Sequence, residues 1–175
     1  MMERPIGVFD SGLGGLTTVR ELRRILPGED IVYFGDTGRV PYGSRGRDII
    51  IAYAKQDISF LLSKNVKTVI AACGTVSSTL PPDEIAGLPV GYTGVVQAAA
   101  SAAARATQNG KIGIIGTEAT IASGSYQKAL GTLAISAPTV AKACPPLVPL
   151  VANGRFSPAA PVSTLVVRAY PPPAR

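Results

Sequence analysis

Cys73 is the residue of this sequence best placed to act as an acid or a base. It follows the apolar run TVIAA (68–72) and precedes the small polar residues GTVSS. This pattern predicts a thiol at a strand-to-helix junction, where backbone N–H groups stabilise a thiolate and lower its pKa. A buried, inert thiol is the alternative. Cys144, in KACPPLVPL, has prolines beside it and no such polar neighbours, so we expect it to be inert and less readily alkylated than Cys73.

A second group of candidate residues lies near the N-terminus, in VFDSGLGGLTTVRE (8–21). Asp10 and Ser11 follow an apolar run and precede a glycine-rich turn and a helix. Three interpretations stay open: a site for a ligand ammonium group, a helix cap without a ligand, and a dinucleotide-binding loop with Asp36 on the ribose. The third fits least well, because Thr17 replaces the last glycine of that pattern and Asp10 would face a pyrophosphate.

The composition excludes several classes of function. Histidine is absent, which removes Ser/His and Cys/His nucleophile pairs and the usual zinc sites, so we expect no metal. The net charge is +6, but the basic residues of the C-terminal third are widely spaced and we expect no nucleic-acid partner. No apolar run reaches the roughly 18 residues of a membrane span, and no apolar signal opens the chain. We therefore expect a cytoplasmic protein without a disulfide and without a membrane partner.

Six short apolar runs alternate with longer segments of helical periodicity. This alternation is typical of βα units on a parallel sheet and predicts an α/β fold. Ligands bind such folds at the carboxyl ends of the strands, where DSGLGG, GDTGRVPYG and CGTVSS all lie. We therefore expect these three segments to meet in one crevice. The predicted strands are residues 6–9, 31–35, 68–72, 88–92, 111–116 and 138–143, and the predicted helices are residues 16–26, 48–64, 95–107 and 120–133.

Two domains are predicted from the chain's organisation. Residues 79–89 look like a connection, which gives a first α/β domain at 1–92, carrying Cys73, and an incomplete second one at 93–175. Prolines crowd the last part of the chain. A further helix is nevertheless predicted from Ser157, as its N-cap, to about Ala169.

Four segments carry a resemblance to a known family. They are IGVFDSGLGGLTTVRELRRILPGEDIVYFGDTGRVPYGSRG, AACGTVSS, GKIGIIGTEATIASGSYQKAL and AKACPPLVPLVANGRFSP. Together they resemble the glutamate racemases of bacterial cell-wall synthesis. The resemblance implies two Rossmann-like parallel-sheet domains related by pseudo-symmetry, with the chain ending before the last strands. It also implies cofactor-independent interconversion of L- and D-glutamate by two cysteines for peptidoglycan synthesis, and it leaves a homodimer open.

The resemblance also implies roles for individual residues. Cys73 matches the first catalytic cysteine, with Asp10 beside it as a second catalytic residue. Asp36 matches an acidic residue near the site, and Thr117 and Thr120 are weaker matches from the second domain. The substrate-binding residues that it implies are Asp10, Ser11, Tyr42, Gly43, Gly74 and Thr75.

Three departures from the family pattern bear on activity. Gly74 stands where the family has an asparagine, and Ala152 stands where it often has a glutamate. The motif of the second cysteine contains a histidine, and these 175 residues contain none. We therefore expect this chain to be weakly active or inactive as a racemase. A non-catalytic binder of acidic amino acids and an aspartate racemase are the alternatives.

Overall fold

Parallel pairing of short apolar strands builds two sheets in the computed structural model, which describes residues 4–133 and 139–152. The first sheet has the order β2-β1-β3-β4, and all its neighbours are parallel. The second is a parallel pair of β5 and β6. The strands are β1 (Ile6–Asp10), β2 (Ile31–Gly35), β3 (Thr68–Ala71), β4 (Gly91–Gly94), β5 (Ile112–Gly116) and β6 (Thr139–Ala143).

Helices connect the parallel strands, as a parallel sheet requires. The longest is amphipathic and buries Ile50, Ala54, Ile58 and Leu61, which recur at helical spacing. The described helices are α1 (Leu16–Ile25), α2 (Arg47–Ser63), α3 (Gly74–Thr79), α4 (Pro82–Ala86), α5 (Val95–Ala106), α6 (Glu118–Ala122), α7 (Ser125–Gly131) and α8 (Leu147–Ala152).

Each sheet has its own hydrophobic core. In the first, the α2 face packs with Phe9 from β1 and Val69 from β3. In the second, Val96 and Ala100 of α5 pack with Ile114 of β5. Full burial of one such aliphatic side chain typically stabilises a fold by about 1.5–3 kcal/mol. The parts of the chain packed around these two cores are called the first and the second domain, and the division at residue 92 stays a prediction.

The predicted parallel α/β fold is confirmed, with differences in detail. The segment 120–133 forms two helices, because Gly124 adopts φ +62° between α6 and α7. The boundary predicted after residue 92 falls inside β4, which pairs with β3 in the first sheet. The helix predicted from Ser157 lies outside the described residues, and pseudo-symmetry stays a prediction. Among residues 4–133 and 139–152, no helix is long and apolar enough to cross a membrane.

The two domains meet along α3. The hydroxyls of Thr75 and Thr117 are 3.0 Å apart, and Ser125 Oγ donates to the Ser78 carbonyl at 2.6 Å. Nearby, the Ala119 amide donates to the Gly43 carbonyl at 3.2 Å. The seam between the domains therefore passes beside Thr75, two residues after Cys73, and beside the loop after β2.

Candidate functional site

Cys73 lies where β3 ends and α3 begins, as the sequence predicts. Its thiol is 5% exposed and donates to Ser11 Oγ at 3.3 Å. The Val76 amide in the first turn of α3 donates to the sulfur at 3.5 Å, so Cys73 is the N-cap of that helix. Ser11 follows β1, the neighbour of β3. The fold thus brings two of the three suspected segments into contact.

The expected lowering of the Cys73 pKa is wrong for this structure. Burial raises the pKa of the thiol, and the negative charge of Asp10 raises it further. The hydrogen bonds with Ser11 and Val76 act in the opposite direction and are outweighed. A helix N-terminus alone does not make a thiolate when the sulfur is cut off from water and faces a carboxylate.

Asp10 organises the glycine-rich turn that leads into α1. Its Oδ2 accepts from the Gly12 amide at 3.2 Å and from the Gly15 amide at 3.0 Å, at the start of the helix. A carboxylate is favoured there by the helix dipole. A Cβ on Gly15 would lie 2.7 Å from the Asp10 Cβ, so glycine is needed for this close approach. Asp10 therefore accepts from Gly15, the N-cap residue of α1, and its binding of an ammonium group stays a prediction.

The start of α3 presents Gly74 and Thr75 at the seam. A Cβ on Gly74 would meet no atom of the described residues within 4 Å. Thr75 is buried, and its hydroxyl contacts Thr117, which in turn donates to Thr120 Oγ1 at 2.9 Å. The two weaker candidates from the second domain are thus joined to a residue two positions after Cys73.

Tyr42 is buried, and its hydroxyl contacts two carboxylates. It donates to Asp36 Oδ2 and, at 3.0 Å, to Asp57 Oδ2. Burial and these hydrogen bonds raise the pKa of Tyr42, so the phenol stays protonated. A ligand beside Tyr42 and Gly43 would therefore meet backbone rather than the phenol hydroxyl. Gly43 lies against the second domain, where a Cβ would come within 2.5 Å of the Thr117 Cβ.

Sequence reasoning missed Arg39 and Asp57, which complete this cluster. Arg39 donates from Nε to Asp36 at 2.6 Å and from Nη2 to Asp57 at 2.9 Å. Asp57 is 1% exposed, and burial raises its pKa to about 6 against the opposing effects of Tyr42 and Arg39. The sequence feature that could have revealed Asp57 is its position as an aspartate on the otherwise apolar face of a predicted helix.

Cys144 is buried directly after β6. Its amide donates to the Gly116 carbonyl at the end of β5, at 2.8 Å. Both cysteines therefore follow strand ends, but no contact links Cys144 with Cys73 in the described residues. No group of three Cys, Asp or Glu side chains in residues 4–133 and 139–152 could hold a metal ion.

The chain is similar to several glutamate racemases. It is 43% identical over 156 residues to a glutamate racemase of Oceanobacillus iheyensis, a match that takes in 89% of this chain and 57% of the relative. The solved Campylobacter jejuni glutamate racemase superimposes with a TM-score of 0.89 at 31% identity, over 97% of this chain and 68% of that one. The Francisella tularensis enzyme, solved in complex with D-glutamate, gives 0.86 at 35% identity, over 94% and 62%.

No family model matches the chain. The chain spans about three-fifths of the length of the curated relatives that it matches, at 57% to 60%. The matches in sequence and in structure nevertheless extend over 95% and 97% of this chain. The chain belongs to the glutamate racemase family.

Proposed function

We propose that this chain forms the substrate crevice of a glutamate racemase and that the Cys73 thiolate removes the α-proton of one glutamate enantiomer. The contact of the Cys73 thiol with Ser11 across two strand ends carries this proposal. This contact supports the proposal because the Cys73 thiol, as the proposed proton acceptor, lies beside a hydroxyl and a helix N-terminus. An amino acid's two charged groups can be bound beside such groups. Family membership indicates glutamate as the substrate.

The proposed reaction is a proton transfer. The thiolate takes the proton, and the C–H electron pair stays on the α-carbon, delocalised into the substrate carboxylate. Donors at the start of α3 and the Thr75 hydroxyl would stabilise the charge that develops on that carboxylate.

Substrate binding would also help to form the thiolate. The charge of Asp10 is one cause of the raised Cys73 pKa. A substrate ammonium group beside that carboxylate would offset this charge and bring the Cys73 pKa down. Asp10 would then bind the substrate's amino group and tune the base.

A single thiol can remove and return a proton at only one face of the substrate's α-carbon. The 175 residues contain two cysteines and no histidine, and both cysteines are free and buried. We therefore propose that Cys73 returns the proton, or a solvent deuteron, to the face from which it came. This chain by itself would exchange the α-proton without appreciable racemisation. The homodimer and the cytoplasmic location belong to the same proposal.

Loss of the glutamate C2–H signal in deuterated water, followed by NMR, tests the function. We expect exchange in one enantiomer, its loss in Cys73→Ala, and its survival in the matched control Cys144→Ala. Glutamate binding without exchange would identify a non-catalytic binder. Preferential exchange of aspartate would identify an aspartate racemase. The absence of both binding and exchange would refute the proposed function.

A further inference from the structure

A network of four polar side chains, three of them buried, joins the loop that carries Tyr42 and Gly43 to α2. Asp36 and Asp57 both accept from the Tyr42 hydroxyl, and Arg39 bridges the same two carboxylates. Arg39 also donates to Gln56 Oε1 at 2.5 Å, and its guanidinium lies 4.2 Å from the centre of the Tyr53 ring.

One member of this network comes from a different element. Asp36, Arg39 and Tyr42 belong to the loop between β2 and α2, whereas Asp57 lies in the middle of α2. Its neighbours Ile58 and Leu61 fix α2 to the first core. Asp57 is therefore the charged side chain that ties this loop to a rigid helix.

The loop in turn supports the seam between the domains. The Gly43 carbonyl accepts from the Ala119 amide, and the Gly43 Cα faces Thr117 with no room for a side chain. A small displacement of Tyr42 would therefore move Gly43 away from the second domain. Thr117 contacts Thr75, so the effect would reach the start of α3.

We propose that Asp57 is a positioning residue, which holds Tyr42 and Arg39 and thereby fixes the Gly43 backbone against Thr117 and Ala119. The part of this inference that concerns ligand affinity rests on the proposed function. The structural part does not, because it concerns contacts within the chain itself.

The alternative is that Asp57 only pairs with the half-buried charge of Arg39 and contributes to stability. Exchange of the Ala119 amide with deuterated solvent separates the two. If Asp57 is a positioning residue, its replacement should accelerate exchange of the Ala119 amide selectively. If its role is purely structural, its replacement should accelerate amide exchange throughout the molecule in proportion to the lost stability. The Cys144 amide, which donates to the Gly116 carbonyl at the end of β5, is the internal reference.

The test variant is Asp57→Asn, which keeps the shape and removes the charge. Ile58→Val, a neighbouring buried change outside the network, is the control for lost stability, and the exposed Asp48→Asn on the same helix is the control for lost charge. If Asp57→Asn does not fold, Arg39→Lys replaces it, because lysine keeps the charge but cannot bridge two carboxylates as a planar guanidinium does.

In Asp57→Asn we expect the Ala119 amide to exchange at least about tenfold faster than in Ile58→Val after normalisation to Cys144, as for the loss of one charged hydrogen bond. Calorimetric titration should show a comparable loss of D-glutamate affinity. If the unaltered chain binds no glutamate, the proposed function fails. The amide-exchange data alone then test whether Asp57 is a positioning residue. Equal normalised exchange in Asp57→Asn and Ile58→Val would overturn the positioning role.

Discussion

At the scale of single residues, the surroundings of Cys73 combine opposing effects. The Val76 amide and the Ser11 hydroxyl favour the thiolate, while burial and the Asp10 carboxylate disfavour it, and the second pair outweighs the first. Burial is the larger cause of the raised pKa, and offsetting the Asp10 charge would remove the second one. That second effect can be tested without any substrate.

Asp10→Asn should lower the pKa of Cys73, because it removes the negative charge and leaves an amide oxygen to accept from Gly12 and Gly15. The thiolate is the form that alkylates, so we expect labelling of Cys73 at pH 8 to accelerate several-fold. Iodoacetamide labelling followed by peptide mapping measures this, with Cys144 as the internal reference.

The exposed Asp83→Asn is the control and should leave the Cys73 rate unchanged. An Asp10→Asn rate equal to or below that of the unaltered chain would show that this carboxylate does not govern the thiol. The same peptide maps give the alkylation rates of Cys73 and Cys144 in the unaltered chain, so the two thiols can be compared directly.

Gly74→Asn should strengthen binding of D-glutamate. The side chain would enter open space, and one hydrogen bond to a charged carboxylate is typically worth about 1.5–3 kcal/mol, or about tenfold to a hundredfold in affinity. Calorimetric titration measures the gain, and Gly74→Ala controls for the loss of glycine. If the asparagine variant binds no tighter than the alanine variant, position 74 does not face the ligand.

At the scale of elements, the seam depends on close backbone approach between the loop after β2 and the start of α6. The Ala119 amide contacts the Gly43 carbonyl, and the Thr117 side chain occupies the space that a Cβ on Gly43 would need. Glycine in the PYG segment is therefore explained by packing between domains. Its φ is not positive, since among the described glycines only Gly110 and Gly124 have a positive φ.

Gly43→Ala should destabilise the chain by about 1–3 kcal/mol, the usual cost of overpacking. The matched control is Gly38→Ala in the same loop, where the residue is exposed, a Cβ meets no described atom within 4 Å and φ is not positive. We expect the control to stay within about 0.5 kcal/mol, as for an exposed site without a special contact. Urea unfolding measures both, and equal losses would contradict the packing explanation.

At the scale of the whole molecule, the raised pKa of Asp57 links stability to pH. Its native pKa is about 6 against an ordinary value of 3.8, so the native state binds more protons than the unfolded state between these values. The contribution of Asp57 to the free energy of unfolding therefore falls as pH rises from about 4 to beyond 6. The charged and polar groups that contact its carboxylate are Arg39 and Tyr42, with Asp36 nearby.

Asp57→Asn should remove this part of the pH dependence. Urea unfolding between pH 4 and 7 should give a flatter stability profile for the variant than for the unaltered chain, while Asp48→Asn keeps the original slope. Parallel profiles for the unaltered chain and Asp57→Asn would mean that the carboxyl does not titrate in this range.

Much of the fold could be predicted from the sequence, because strand runs and helical periodicity are local properties. The six strands and the helices α1, α2 and α5 lie within a few residues of their predicted positions. Gly124 broke a helix that periodicity had predicted to be continuous. The Cys73 pKa and the burial of Asp57 depend on depth within the fold, which local patterns do not report.

The stereochemistry of exchanged glutamate tests the central claim, that Cys73 acts alone on one face of the substrate. Each enantiomer is incubated with the chain in deuterated water, and the configuration of the α-deuterated product is determined by circular dichroism together with NMR. The account predicts deuterium incorporated with retention, in one enantiomer, and lost in Cys73→Ala. Robust interconversion of L- and D-glutamate that Cys73→Ala abolishes would contradict it, since a second acid would then have to lie within these 175 residues.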